Sequence, residues 1–270
     1  MRNAMLISAM LSNSKTWYGL TKHEVEELEA VDEHLLRKIL SAHSKTPKEL
    51  LYLETATIPI RFILKARRLG YLHHILTRNS TELINRVYCA QKRRPVRDDW
   101  YLTVQKDLAD LKIDLSDDQI KNMTKINFKT YLKKKISDAA FADLLKIKES
   151  HSKGSDIVYD KFEAQSYINS NLLKIDEKFL LFKLRTRMTP VKSNFKSMFV
   201  DKNCMLCGSG VPQSDLHLLE CSKIIENCSV LNDDLETEYL DIFADLAHQV
   251  QATRIYKAIF ETKEKLEQEG

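Results

Sequence analysis

Cys204, Cys207, His217 and Cys221 read as Cys-x2-Cys-x9-His-x3-Cys within "CMLCGSGVPQSDLHLLEC". Three thiolates and one imidazole complete a tetrahedral Zn2+ shell and leave no open position for a substrate or a reactive water, so the expected site is structural. Gly208 and Gly210 behind the Cys-x-x-Cys pair suit a turn that folds around an ion. His217 and Cys221 stand four apart, on one face of a short helix. The plainer reading is a set of unrelated buried or surface cysteines, since free Cys is often a small core residue. Four of the five cysteines fall between 204 and 228, and that clustering favours the metal. Cys228 is either a substitute for Cys221 or simply buried.

The elements that must hold these ligands are helical. The chain has 270 residues with only 6 Gly and 5 Pro among 30% charged residues, a composition that fits helices rather than a β-sandwich or a disordered chain. Thr21-Lys22-His23-Glu24 is a capping box, followed at helical spacing by Val25, Leu28, Val31, Leu35, Ile39 and Leu40. Thr46-Pro47-Lys48-Glu49 repeats the pattern with Pro at the first helical position. Pro59 opens a helix running through Leu76. Ser80, Asp98–Asp99 and Ser116 are candidate caps for later helices, and Asn232 or Asp233 for a last amphipathic one carrying Leu235, Tyr239, Ile242, Phe243, Leu246, Val250 and Ile259. The stretch from Met5 to Trp17 reads as either strand or helix, with Trp17 and Tyr18 packing on the helix that begins at Thr21. A Lys-Gly-Ser turn at 153–156 is the best internal boundary. No apolar run approaches a membrane span, and the apolar start, which loosely resembles a signal peptide, is ended by Ser12 and Asn13. An odd cysteine count with a metal-type cluster places the protein in cytoplasm or nucleus.

Charge is unevenly spread. Residues 1–60 carry a net −1, residues 61–203 carry +13 and residues 204–270 carry −8. The middle is the candidate polyanion surface. Arg61, Lys65 and Arg68 lie at i, i+4 and i+7 as a cationic ridge. Lys92-Arg93-Arg94, Lys133-Lys134-Lys135 and the series Lys183, Arg185, Arg187, Lys192, Lys196 add further runs. Each run alone is an ordinary solvated helix face, but four of them together favour phosphate binding, which gains from counterion release. Tyr71, Tyr88, Trp100 and Tyr131 lie nearby, as base-stacking candidates or, more commonly at helical spacing, as core.

Taken in order, "SNSKTWYGLTKHEVEELEAVDEHLLRKIL", "SKTPKELLYLETATIPIRFILKARRLGYLHHIL" and "CMLC…DLHLLEC" resemble the region downstream of the polymerase core in non-LTR (LINE-type) retrotransposon reverse transcriptases, over roughly residues 5–225. The resemblance implies a thumb-like helical domain at 1–105, a helical connector at 106–200 and a zinc knuckle at 201–230; the C-terminal amphipathic helix at 231–270 rests on the apolar periodicity alone. It implies that Arg61, Lys65 and Arg68 grip primer–template or element RNA, that the four metal residues are the knuckle ligands, and that an upstream reverse transcriptase core is a partner. The interval from Cys207 to His217 is longer than in the short retroviral knuckle, which puts base reading by that geometry in question.

Catalytic elements are missing from the pattern. Polymerisation needs paired metal-binding carboxylates. Phe141-Ala142-Asp143-Leu144 and Phe243-Ala244-Asp245-Leu246 have Leu where the second Asp belongs, and both read as helix turns with a surface Asp. There is no Pro-Asp…Asp-Lys nuclease series, Walker-type loop or nucleophile elbow. His73 and His74 beside Arg67–Arg68 read as polar surface. The expectation is a mostly α, non-catalytic segment that binds RNA and/or DNA through Arg61, Lys65, Arg68, Lys92, Arg93, Arg94, Lys183, Arg185 and Arg187, and has no membrane partner. The alternatives are a zinc-stapled helical protein–protein interaction module whose acidic amphipathic tail docks a partner helix, and an enzyme with an unfamiliar site.

Overall fold

The computed structural model describes residues 2, 6–151, 157–195, 198–231, 242–243 and 245–269. Among them the regular structure is helical: α1 (Ser8–Met10), α2 (Lys22–Ile39), α3 (Lys48–Thr55), α4 (Ile60–Leu76), α5 (Leu83–Arg93), α6 (Trp100–Asp110), α7 (Asp117–Asn122), α8 (Lys125–Glu149), α9 (Ser166–Asn169), α10 (Ile175–Arg185), α11 (Asp215–Glu220), α12 (Ser222–Asn227) and α13 (Leu246–Glu269). One isolated antiparallel bridge, Asn203 to Pro212, is the β feature of the described residues. The mostly α expectation therefore holds. No helix among the described residues is long and apolar enough to cross a membrane.

The chain divides into two compact units, each assembled from separated stretches: Met1–Leu35 with Ala56–Ile147, and Leu36–Thr55 with Lys148–Gly270. These limits fall inside α2 and α8 and do not coincide with the contiguous segments 1–105 and 106–200. The turn at 153–156 lies outside the described residues, as do Lys196, Asn232, Asp233, Leu235 and Tyr239.

In the first unit α4 is the central helix. Pro59 precedes it with φ −60° and offers no side-chain cap. Glu29 of α2 takes that role, accepting the Arg61 backbone N–H at 3.2 Å. Ile60, Leu64, Leu69 and Leu72 are buried along α4. Ile60 and Leu64 share a core with Ile7 and Leu11, and Trp17, Val25 and Leu28 pack against it. The ambiguous N-terminal stretch is thus helical where it is described, as α1 and a 3-10 turn at Ser14–Thr16. Trp17 packs against the core of Ile7, Leu11, Ile60 and Leu64, whereas Tyr18 is exposed and does not pack as expected, because one turn-flanking residue faces the core and its neighbour faces away.

The Thr21 box is present in both directions, with Thr21 N–H to Glu24 at 2.7 Å and Glu24 N–H to Thr21 at 3.3 Å. Farther along α2 the buried stripe differs from the expected one: Val31 and Ile39 are exposed, while Leu36 is buried. Asp99 caps α6 and Ser116 caps α7 with a full box. Ser80 caps nothing, since α5 begins after Glu82.

In the second unit α3 is buried nearly all round, through Leu50, Leu51, Tyr52, Leu53 and Glu54. Thr46 does not cap it: its hydroxyl is buried without a hydrogen-bond partner. Arg37 instead donates to the carbonyls of His43 and Thr46, both at 2.7 Å, and straps that loop. The last helix starts at Leu246 rather than near Asp233. Asp245 provides its cap, accepting the amides of Ala247 at 2.9 Å and His248 at 3.1 Å.

Candidate metal centre and cationic surface

The ligand loop is closed by two backbone bonds flanking the Asn203–Pro212 bridge, Cys204 N–H to Val211 O and Gln213 N–H to Lys202 O, both 2.8 Å. Gly208 and Gly210 occupy the left-handed region at φ 62° and 72°, where a side chain is strained. Ser214 then caps α11 by accepting the His217 amide at 3.1 Å. This sets the imidazole one turn before Cys221, the residue between α11 and α12. Thr189 and Asn194 bond the Asp215 carboxylate at the same helix start.

The four donor atoms converge, all lying within 4.8 Å of one another. Cys204 Sγ is 3.9 Å from Cys221 Sγ, and Cys207 Sγ is 3.4 Å from His217 Nε2. A tetrahedron with metal–sulfur bonds of about 2.3 Å has edges of about 3.8 Å, so these separations suit one metal ion. The donor set fits, and all four residues would hold it. Cys204, Cys221 and Cys228 belong to a core with Leu218, Ile224, Ile255, Tyr256 and Ile259. Cys228 is buried there and stands outside the four-donor group.

The thiols differ in acidity. Hydrogen bonds from Ser209, with a smaller one from His217, lower Cys207 to about 6. Burial, reinforced by the Cys204 thiol, pushes Cys221 up to about 11. Asp215 is also raised, by burial first, against the opposing bonds from Thr189 and Asn194 and the charge of Arg187.

The cationic residues expected at a nucleic-acid face are dispersed, and several are spoken for. Arg61 pairs with Glu29 at 2.7 Å and Asp143 at 2.6 Å, and Lys65 with Asp110 at 2.5 Å. Arg68 is buried against Asp107 at 2.6 Å. The expected ridge on α4 is therefore a row of internal ion pairs: carboxylates from α2, α6 and α8 meet it. Lys92 bonds Asp117 at 2.6 Å, whereas Arg93 and Arg94 are exposed without a carboxylate partner among the described residues.

In the second unit Lys183 is half-buried beside Met188 and Phe195, and Arg187 is exposed in a left-handed conformation, φ 52°. Arg185 is a core residue. Its Nε donates to Glu54 at 3.1 Å, and the same carboxylate accepts the phenols of Tyr159 and Tyr167, both at 2.7 Å. No run of charges in the sequence signals Glu54. It sits 131 positions from Arg185, and only the fold joins them.

The two Ala-Asp candidates have structural roles, Asp143 as a partner of Arg61 and Asp245 as the cap of α13. Tyr88 and Trp100 are buried, and Tyr71 is half-buried with Trp100 against its edge. His73 is buried, bonded to Met123 O at 2.9 Å and stacked on Phe128, so it is not surface; His74 is exposed. Lys125 and Lys129, which belong to no run, stand with Lys133 on the exposed side of α8. The sequence reading missed them, and a Lys at every fourth position of 125–133 is the signal that could have found them.

No family model matches the chain, and no curated protein or solved structure matches it.

Proposed function

We propose that the protein is a non-catalytic nucleic-acid-binding segment of a retrotransposon reverse transcriptase-like protein, gripping RNA or primer–template phosphates through basic helices and stapled by one structural Zn2+. The observation that carries the reading is on α8. Lys125, Lys129, Lys133 and Lys134 are exposed and have no carboxylate partner among the described residues, unlike Arg61, Lys65 and Arg68. Such a face is stable in water on its own, but its ammonium groups are free to meet phosphates, with counterion release as the gain. Three thiolates with one imidazole favour zinc over harder cations, and four protein ligands leave no coordination position for chemistry.

The test is binding of labelled RNA and DNA to the full chain over a salt series. Affinity should fall linearly on a log–log plot as salt rises. Binding that ignores salt, or no binding at low salt, would sink the proposal.

A second reading has its own support. Met198, Met205, Val200 and Leu216 are exposed in the second unit, around the metal loop and its approach. Such apolar exposure suits a zinc-stapled protein-interaction module, whose affinity for a partner would depend little on salt.

A further inference from the structure

Gly70 lies in the interior of α4, where glycine is less favourable than alanine. Packing does not require it. A Cβ built there meets nothing within 4 Å, and the position is exposed. What a missing side chain allows at such a site is close approach by something outside the protein.

Two hollows of the first unit meet at this glycine. One, of about 490 Å³, is lined by Asn13, Ser14, Lys15, Arg67, Gly70, Tyr71, His74 and Lys125. The other, of about 370 Å³, has Ile63, Ala66, Phe128 and Leu132 in its floor and Lys125, Lys129 and Lys133 with Arg67 on its sides. They share Arg67, Gly70 and Lys125, and neither lining includes a carboxylate among the described residues.

Among the described residues Arg67 bonds neutral groups alone, the carbonyls of Leu11 and Ile7 and the Ser14 hydroxyl. Lys15 lies over the Tyr71 ring. His74 is held below its ordinary value by burial first and then by the charges of Arg78, Lys15 and Lys125, against Glu82. Along α8 the three lysines are four residues apart, a rise of about 6 Å each, on the scale of the step between successive phosphates of one strand.

We propose that this α4–α8 groove binds a single, unpaired nucleic-acid strand, with phosphates on Lys125, Lys129, Lys133, Arg67 and Lys15 and bases or riboses over Gly70 and the apolar floor. The inference rests on the nucleic-acid reading above and deepens it. An unpaired strand is the form that exposes base faces to an apolar floor beside a charged rail. A duplex turns those faces inward and offers phosphates alone.

The experiment compares a labelled oligouridylate with a duplex of equal length, using the full chain at several salt concentrations. The single strand should bind more tightly. Gly70→Glu, which sets a carboxylate in open space, should weaken it about tenfold or more, while Gly70→Ala, whose Cβ stands in the approach, should weaken it less and melt no lower than the parent. Replacing Lys125, Lys129 and Lys133 by Gln should lower the log–log salt slope by about 2. A folded Gly70→Glu protein with unchanged affinity, together with an unchanged slope in the lysine variant, overturns the groove and leaves the broader reading standing. Equal or tighter duplex binding overturns the strand assignment. Absence of salt-sensitive binding to either probe removes the broader reading and the groove together.

Discussion

Glu54→Gln should be among the most damaging single changes in the second unit. The Glu54 carboxylate is fully buried, and three donors converge on it: two phenols at 2.7 Å and the Arg185 guanidinium at 3.1 Å. Burial works against the Arg185 charge, yet Glu54 and the two phenols still raise its pKa, so the cation persists. Tyr159 and Tyr167 are pushed well above the ordinary phenol value, by burial and then by Glu54, which keeps both as donors. With Gln in place, Arg185 retains only neutral acceptors, Gln165 at 3.1 Å and the Ile242 carbonyl at 3.0 Å.

Stranding one member of a buried ion pair costs about 3–5 kcal/mol, a large share of a typical stability of about 5–15 kcal/mol. For a unit of this size that corresponds to a melting shift on the order of 10 °C. Denaturant unfolding followed by far-UV circular dichroism measures the loss. The double variant Glu54→Gln/Arg185→Met should recover part of it, because an apolar replacement removes the stranded charge. A Glu54→Gln protein within about 1 kcal/mol of the parent would refute the reasoning. So would an Arg185→Met protein of unchanged stability whose nucleic-acid affinity collapsed, since Arg185 would then face the ligand.

Metal uptake should release protons: Cys221 at about 11 must become a thiolate, so apparent affinity rises at least tenfold per pH unit between about 6 and 9, and falls faster below 6 as Cys207 also protonates. A flat competition titration with a zinc chelator would contradict this, and Cys204→Ser should lose the metal where Cys228→Ser keeps it. On α4, Arg68→Gln should cost about 3 kcal/mol by stranding buried Asp107, whereas Lys65→Gln should stay within about 1 kcal/mol because Asp110 is partly solvated; equal costs in chemical denaturation would overturn that ranking. Thr46→Val removes a buried hydroxyl without a partner and should be neutral or stabilising by about 1 kcal/mol, with a lowered melting temperature as the contrary result.

What the sequence alone determined was local. The capping box at Thr21, the start of α4 after Pro59 and the caps at Asp99 and Ser116 depend on residues within four positions of one another, although the equally local signals at Thr46 and Ser80 gave no cap. The metal donors span only 204–221, so spacing and ligand type sufficed to group them. The fate of the charges required the fold. Arg61, Lys65, Arg68 and Arg185 look like any basic helix face until Glu29, Asp143, Asp110, Asp107 and Glu54 are brought to them from 32 to 131 positions away. Lys125, Lys129 and Lys133 escape that pairing, although nothing in their own residue type distinguishes them. A charge's partner is set by tertiary packing, because Coulomb attraction acts across space rather than along the chain.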